Sequence, residues 1–162
     1  MNHPTNPPVD WETLVTQEEN RLYRTALAIL GDPSEAQDAV QEAFLAFLEK
    51  APADLESPGA WLMRVLVNGC KSRLRLRWRR PTVPLWEELP APSPQEREEL
   101  EELYALPPQD RAVIHLHYYE GYSVREIASL LGQSESAVSA HLSRGRKSLR
   151  TTLGGDLYEQ RV

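Results

Sequence analysis

The sequence contains one cysteine, Cys70, and no apolar run long enough to span a membrane. A lone cysteine excludes an internal disulfide and fits a reducing compartment. Its apolar neighbours predict a buried structural thiol. The four histidines and Cys70 are scattered, so they form no ligand cluster at zinc spacing. The first residues do not resemble a signal peptide. We therefore expect a cytoplasmic protein with no membrane insertion, no metal and no cofactor.

The alternation of apolar and polar residues that marks a half-buried strand is also missing over any useful length. Proline is frequent instead, with 13 among 162 residues, and it is clustered. This pattern predicts an all-α fold with two small helical domains, joined by a linker rich in proline and acid. The predicted parts are a flexible arm (1–15), a first domain (16–80), a linker (81–94), a second domain with a helix-turn-helix (95–153) and a tail (154–162).

The first domain begins with two predicted helices, from about Thr16 to Leu30 and from Asp32-Pro33 to about Lys50. Asp32 caps the second of these, with Pro33 in the first turn. Its predicted inner stripe is Ala36, Val40, Ala43, Phe44, Phe47 and Leu48. Its predicted outer face carries Asp38, Gln41, Glu42 and Leu45. An acidic face is usually only solvated, but a leucine in its middle makes a partner surface the alternative.

The net charge of −6 hides a segregation of charge along the chain. Seven basic residues and no acid lie between Arg64 and Arg80, whereas seven acids and one arginine lie between Leu85 and Leu106. The local field decides where a polyanion binds. A third helix, from Ser57-Pro58, puts the basic run on one face, and the candidate DNA residues there are Trp61, Arg64, Asn68, Lys71, Arg75 and Arg79. Cations can hold phosphates, and an amide with an aromatic ring can read an unstacked base. The alternative is that Trp61 is a core residue and the arginines only aid solubility.

Two more helices are predicted before the clearest motif, from Ser93 to Leu106 and from Gln109 to Glu120. The motif runs from Ser123 to Leu149 and reads as two helices joined by a tight turn, with Ala128, Gly132 and Val138 at helix-turn-helix spacing. The second helix would enter the major groove. Its candidate contacts are Ser134, Glu135, Ser136, Ser139, His141, Arg144, Arg146 and Lys147. An ordinary helical hairpin with a solvated basic end is the alternative.

Two blocks of sequence together resemble the extracytoplasmic-function group of bacterial RNA polymerase sigma factors. The first contains LYRTALAILGDPSEAQDAVQEAFLAFL and SPGAWLMRVLVNGCKSRLRLRWRR, and the second runs from ELYALPPQDRAVIHLHYYEG through the helix-turn-helix to RGRKSLR. The resemblance implies a transcription initiation factor that performs no bond chemistry and takes no small-molecule substrate. Its implied partners are core RNA polymerase, through the β′ clamp helices and the β flap, promoter DNA, and an anti-sigma factor.

The resemblance also implies roles for residues. The face with Asp38, Gln41, Glu42 and Leu45 would bind the β′ clamp helices of polymerase. The helix from Trp61 to Arg79 would melt and read the −10 element. The helix from Ser134 would read the −35 element. Ser139 and His141 stand where the family often has Lys and Arg, so we expect weak −35 binding by the isolated domain. His141 could donate to a base or phosphate, or be a spacer. Two other classes of protein are the alternatives. A stand-alone helix-turn-helix regulator would leave the basic run without a role. A nuclease would have to use the glutamate pairs, which lack a fixed pocket.

Overall fold

The structure is a computed structural model that describes residues 10–79 and 103–153 of the chain. Within these ranges it contains helices and no strand, so the predicted all-α fold class is confirmed. Its helices are α1 (Trp11–Leu30), α2 (Pro33–Lys50), α3 (Pro58–Arg79), α4 (Pro108–Ile114), α5 (Val124–Leu131) and α6 (Glu135–Leu153). None of these helices combines the length and the apolar character that crossing a membrane requires. The described residues form two compact units: α1 to α3 make the first unit and α4 to α6 the second.

The first helix starts earlier than its apolar pattern predicts. α1 begins at Trp11 rather than Thr16, so residues 11–15 of the predicted arm are helical. Asp10 precedes the helix, and its carboxylate accepts a hydrogen bond from Thr13 Oγ1 at 2.7 Å. Trp11 packs edge-on against Phe44, with 5.7 Å between ring centroids, and Leu14 is 4% exposed. Burial of Leu14 and packing of the half-buried Trp11 ring extend the helix through the region that the sequence assigned to the arm.

The turn between α1 and α2 has the predicted chemistry. Gly31 ends α1 with a φ of 73°, and its N–H donates to the Leu27 carbonyl at 2.8 Å. Asp32 caps α2 by accepting a hydrogen bond from the Ser34 N–H at 2.9 Å, and Pro33 begins the helix. Glycine reaches this left-handed conformation without the steric cost of a Cβ.

The inner stripe of α2 is correct up to Phe47 and wrong at Leu48. Ala36, Val40, Phe44 and Phe47 are buried, but Leu48 is 61% exposed. Trp11, the first residue of α1, already packs against Phe44 and Phe47, so no further turn of α1 remains to cover Leu48. Helical periodicity extends the apolar stripe by one turn beyond its packing partner.

The core of the first unit lies between the three helices and places α3. Leu22 of α1 and Leu62, Met63, Leu66 and Val67 of α3 are at most 1% exposed. α3 is continuous from Pro58 to Arg79, so the basic run lies on a regular helix. The predicted linker, most of the helix predicted from Ser93, and the tail lie outside the described residues.

In the second unit, the helix predicted from Gln109 to Glu120 is interrupted. α4 spans Pro108–Ile114, and residues His115–Tyr119 continue it as a π-helix. The Glu120 N–H donates to the His115 carbonyl at 3.2 Å, which is the five-residue spacing of a π turn. The rings of His115 and Tyr119 stack, with 5.4 Å between centroids. A 3.6-residue apolar pattern contains no signal for such a widened turn.

The helix-turn-helix forms as the sequence predicts. Ser123 Oγ accepts from the Glu126 N–H at 3.1 Å, and Glu126 Oε1 accepts from the Ser123 N–H at 3.1 Å, so the capping box is complete. Gly132 ends α5 with a φ of 67°. Ala128 and Val138 are both buried in the core of the unit, where α5 and α6 cross.

Candidate functional site

The predicted polymerase-binding face of α2 is exposed as a whole. Asp38, Gln41 and Glu42 lie on the surface, and Leu45 is 57% exposed among them. Leu48, one turn further along, adds a second large apolar side chain to the same helix surface. Two exposed leucines beside acidic groups give this face both a charge and an apolar contact to offer a protein partner. We call the surface of Asp38, Gln41, Glu42 and Leu45 the α2 face.

Glu42 has a partner within the chain that the sequence did not predict. Its Oε1 lies 2.6 Å from Arg73 Nη2 of α3, and the side chains are 62% and 20% exposed respectively. The guanidinium of Arg73 is therefore directed toward α2. It belongs to the basic run by sequence, but its charge is neutralised locally. The ion pair joins the α2 face to α3.

The remaining side chains of the basic run divide by exposure. Arg64, Asn68 and Arg75 are exposed on α3, and Lys71 is half-buried. These residues recur at spacings of three and four, so they lie on one face of the helix. Arg79 is within α3, although its side chain lies outside the described residues. We call Arg64, Asn68, Lys71, Arg75 and Arg79 the basic stripe.

Trp61 belongs to the core as well as to the start of α3. Its ring packs edge-on against Phe47, with 5.6 Å between centroids, and it is half-buried. The backbone beside it is held from α1, since Arg21 Nη2 donates to the Gly59 carbonyl at 3.0 Å. Arg21 is itself oriented by Glu18, at 2.6 Å. These contacts fix the start of α3, and the apolar pattern of α1 gives no indication of them.

The single thiol lies in the interior of the first unit. Cys70 is fully buried, as predicted. Burial raises the pKa of the thiol to about 12 from an ordinary value of 9.0, although the nearby Arg73 charge acts in the opposite direction. A thiol with so high a pKa is almost entirely protonated near neutral pH and therefore a poor nucleophile.

The start of α6 presents small polar groups to solvent. Ser134 caps the helix by accepting from the Ala137 N–H at 3.1 Å. Glu135, Ser136 and Ser139 are exposed. The cations follow later in the helix: Arg144 and Lys147 are exposed and Arg146 is half-buried. The strong positive charge of α6 therefore lies in its second half.

His141 makes a contact that neither of its predicted roles includes. Its Nδ1 lies 2.7 Å from Oδ1 of Asp110 on α4, and the two side chains are 13% and 6% exposed. Arg144 Nη2 lies 2.8 Å from the same Nδ1 and 3.6 Å from Asp110 Oδ1. Sequence reasoning missed Asp110, because thirty-one residues separate it from His141 and its position gives no periodic signal.

Family comparison matches the two units in order. Residues 14–80 match the sigma-70 region 2 family, and residues 97–149 match the sigma-70 region 4 family. The two matches divide along the same line as the two compact units, one covering α1 to α3 and the other ending within α6. A chain with both regions has the architecture of a sigma-70-type sigma factor.

Whole-chain similarity narrows the class. The chain is 35% identical over 158 residues to the probable RNA polymerase sigma factor RfaY of Xanthomonas campestris, covering 86% of this chain and 39% of that protein. It is 31% identical over 145 residues to the ECF RNA polymerase sigma factor SigL of Mycobacterium tuberculosis, covering 82% of each chain. The chain belongs to the extracytoplasmic-function (ECF) family of RNA polymerase sigma factors.

A solved structure shares the fold. The sigma factor RpoE of Bartonella quintana, crystallised in complex with the anti-sigma factor NepR, superposes with a TM-score of 0.74 at 22% identity. The match covers 91% of this chain and 98% of that one. At this level of identity the likeness supports the architecture of helical regions 2 and 4.

Proposed function

We propose that this protein is a transcription initiation factor that binds core RNA polymerase, recognises the −10 and −35 elements of promoters and promotes opening of the DNA. The observation that carries the proposal is that a chain with both sigma regions exposes one acidic surface and two cationic surfaces. An acidic surface with an exposed leucine lies on α2, and cationic surfaces lie on α3 and α6. The protein itself makes and breaks no covalent bond, and it acts in the cytoplasm, where polymerase and chromosome are.

The α2 face is the proposed contact for the β′ clamp helices of polymerase. Asp38 and Glu42 supply negative charge, and Leu45 supplies exposed apolar area that a partner helix can cover. Charge complementarity speeds encounter and fixes register, whereas the apolar centre contributes affinity. Region 4 supplies a second polymerase contact, to the β flap.

The basic stripe is the proposed contact for the −10 element. Arg64, Lys71 and Arg75 neutralise phosphates, and the exposed amide of Asn68 hydrogen-bonds an unstacked base. Trp61 supports this surface from the core at its start. On α6, Ser136, Ser139 and the later cations contact the −35 duplex, with phosphate contacts providing most of the affinity.

An anti-sigma factor is the second proposed partner. The support is that the similar RpoE structure contains one. A protein that covers the α2 face, the basic stripe or α6 would block the contacts needed for initiation. Such occlusion would keep the factor inactive until the partner is removed.

Run-off transcription tests the proposal. The full chain is combined with core polymerase from its own organism and fragmented genomic DNA, and RNA 5′ ends are mapped. New start sites that share upstream sequence are expected. Absence of any start site that depends on the protein would refute the function.

Two variants test the separate surfaces. Asp38→Ala should weaken binding to core polymerase more than about 5-fold, which corresponds to about 1 kcal/mol. Asn68→Ala should preserve polymerase binding and reduce promoter opening, measured by permanganate reactivity of unpaired thymines. Glu19→Ala and Asn20→Ala, on exposed positions of α1, are the matched controls. Equal losses in the controls would contradict the assignment of the surfaces.

The stand-alone regulator that the sequence left open is not favoured. A helix-turn-helix regulator needs only the second unit, whereas the region 2 family matches residues 14–80 and covers nearly all of the first.

A further inference from the structure

Asp110 is a buried carboxylate outside the helix-turn-helix whose side chain pairs with His141 and Arg144 of α6. The residue is 4% exposed, on the first turns of α4. Its Oδ1 is 2.7 Å from His141 Nδ1 and 3.6 Å from Arg144 Nη2. An ionised carboxylate at this depth needs donors to offset the lost hydration. Both donors come from the helix proposed to lie against DNA.

The proton on His141 decides how the three groups are connected. Nδ1 lies within hydrogen-bond distance of both Asp110 Oδ1 and Arg144 Nη2, but it cannot donate to one and accept from the other. With a proton, Nδ1–H donates to the carboxylate. Without one, a lone pair would face Asp110, and the buried carboxylate would lose its near donor. Arg144 is 59% exposed, so water can satisfy its N–H groups instead. The arrangement of lower free energy has the proton on Nδ1, and the Nδ1–H group donates a hydrogen bond to Asp110.

This arrangement restrains Arg144 at one edge of its guanidinium. The attraction of Asp110 acts on Nη2, while most of the side chain is exposed to solvent. A planar guanidinium with five N–H groups can be held along one edge and still present donors on another. A long cationic side chain otherwise loses rotamer freedom when it binds a phosphate. Restraint in the free protein removes part of that loss.

We propose that Asp110 is a positioning residue for DNA binding: its carboxylate, which His141 holds in place, attracts Arg144, the first strong cation of α6, and restrains it toward the backbone of the −35 duplex. Asp110 itself touches no DNA in this arrangement, and His141 is an anchor between α4 and α6. The proposal rests on the proposed function, since it concerns the promoter contact of region 4.

A double-mutant cycle on the holoenzyme tests the proposal. The probe is a fluorescein-labelled duplex that contains a start site mapped for the wild-type protein and about 45 base pairs upstream. Affinity is measured by anisotropy over a series of KCl concentrations for wild type, Asp110→Asn, Arg144→Ala and the double variant. Arg144→Ala should weaken binding about 5-fold and reduce the salt slope by about 1. Asp110→Asn should weaken binding about 3-fold alone, and by less than about 2-fold when Arg144 is already alanine.

The other outcomes overturn the proposal. If Asp110→Asn weakens binding equally in both backgrounds, Asp110 only stabilises the unit. If it strengthens binding in both, its charge acts on DNA as a field, since removal of a negative charge favours a polyanion. If Arg144→Ala has no effect, Arg144 is not a DNA contact. Arg144 is exposed, so its variant will fold, and the thermal transition of each variant is checked.

A second measurement does not depend on DNA. The ring nitrogens of His141 are read by long-range proton–nitrogen NMR on the full chain, with His141→Gln as the assignment control. A proton on Nδ1 is expected in the wild type, with a shift of the proton toward Nε2 in Asp110→Ala. A neutral ring with the proton on Nε2 in the wild type would refute the anchoring. If the wild-type holoenzyme binds no promoter, the proposed function fails, whereas an additive cycle with an active wild type overturns only the role of Asp110.

Discussion

Gly145 of α6 packs against α4 so closely that one added methyl group should destabilise the second unit. A Cβ built at this position would lie 2.5 Å from Ile114 Cγ1 and 2.8 Å from Ile114 Cδ1. Carbon atoms in contact are ordinarily about 3.5–4.0 Å apart. Ile114 would have to move by roughly 1 Å. It is fully buried and β-branched, so it has little room or rotamer freedom to do so.

The predicted effect of Gly145→Ala is a difference between two terms. Overpacking a core costs about 1–3 kcal/mol, whereas alanine is better than glycine inside a helix by about 1 kcal/mol. The stiffness of Ile114 places the steric cost toward the upper end. We therefore expect a net loss of roughly 1–2 kcal/mol, and about 4–8 °C in melting temperature per kcal/mol for a unit of this size.

The assay separates the two units. Trp11, Trp61 and Trp78 belong to the first unit, and the assay uses a Trp86→Phe background, so tryptophan fluorescence follows the first unit, whereas far-UV circular dichroism follows all helices. Gly145→Ala should shift the dichroism transition in urea and leave the fluorescence transition in place. Gly69→Ala is the matched control, since a Cβ on that glycine of α3 meets nothing within 4 Å, and it should stabilise the first unit.

The substitution Ile114→Ala tests whether Ile114 is the residue with which the added methyl group collides. Ile114→Ala alone should cost about 2–5 kcal/mol because it leaves a cavity. In that background the added methyl group enters the vacated space, so Gly145→Ala should stabilise by about 1 kcal/mol. A destabilisation of the same size in both backgrounds would refute the reasoning, because Ile114 could not then be its cause.

Three further predictions concern single groups. Arg21→Met keeps the aliphatic stem but loses the N–H donor to the Gly59 carbonyl at the start of α3, so it should lower the free energy of unfolding by about 1 kcal/mol and reduce promoter opening. Arg24→Met, at an exposed position of α1, is the control and should change neither. Ser123→Ala removes the capping box and should cost about 1 kcal/mol in urea titration, with Ser129→Ala near neutral. The folded state raises the pKa of Cys70 to about 12, so its contribution to stability is complete below pH 9 and is lost as pH rises toward 12. Unfolding titrations of the wild type and Cys70→Ala between pH 8 and 11 should therefore diverge, with the wild type losing stability faster.

Each of these predictions has an opposing result. Equal opening by Arg21→Met and the wild type would show that the tie to α3 does not affect DNA. A loss in Ser129→Ala as large as that in Ser123→Ala would assign the effect to the helix surface and not to the cap. Parallel pH curves for the wild type and Cys70→Ala would place the thiol in contact with solvent.

The local features of the fold could be predicted because each depends on neighbouring residues. The Asp32-Pro33 start, the Ser123–Glu126 capping box and the Gly132 turn are short-range patterns, and the structure contains all of them. The boundaries failed where tertiary packing decides. Burial of Leu14 extends α1 beyond the predicted start, and because α1 begins at Trp11 it does not reach Leu48.

The candidate surfaces could be predicted only as sets of exposed residues. Spacing on a helix assigns Asn68 and Arg64 to one face, and both are exposed. Spacing does not show which charges already have partners. Arg73 is directed to Glu42 across two helices, and His141 to Asp110 across thirty-one residues. Such pairs depend on how helices are oriented after packing, and no periodic signal encodes them. The roles of the surface residues in binding stay predictions until they are measured.

In the second unit, two helices, α5 and α4, hold α6 in place. Val138, near the start of α6, packs in the core with Ile127 and Ala128 of α5, as in any helix-turn-helix. The cations come later in α6, and there α4 supplies the close contacts, through Asp110 to His141 and through Ile114 to Gly145. If α6 contacts the −35 duplex as proposed, the position of its later cations decides its DNA affinity, because few cations lie at its start. Substitutions on α4 should therefore change promoter affinity while the helix-turn-helix itself remains intact.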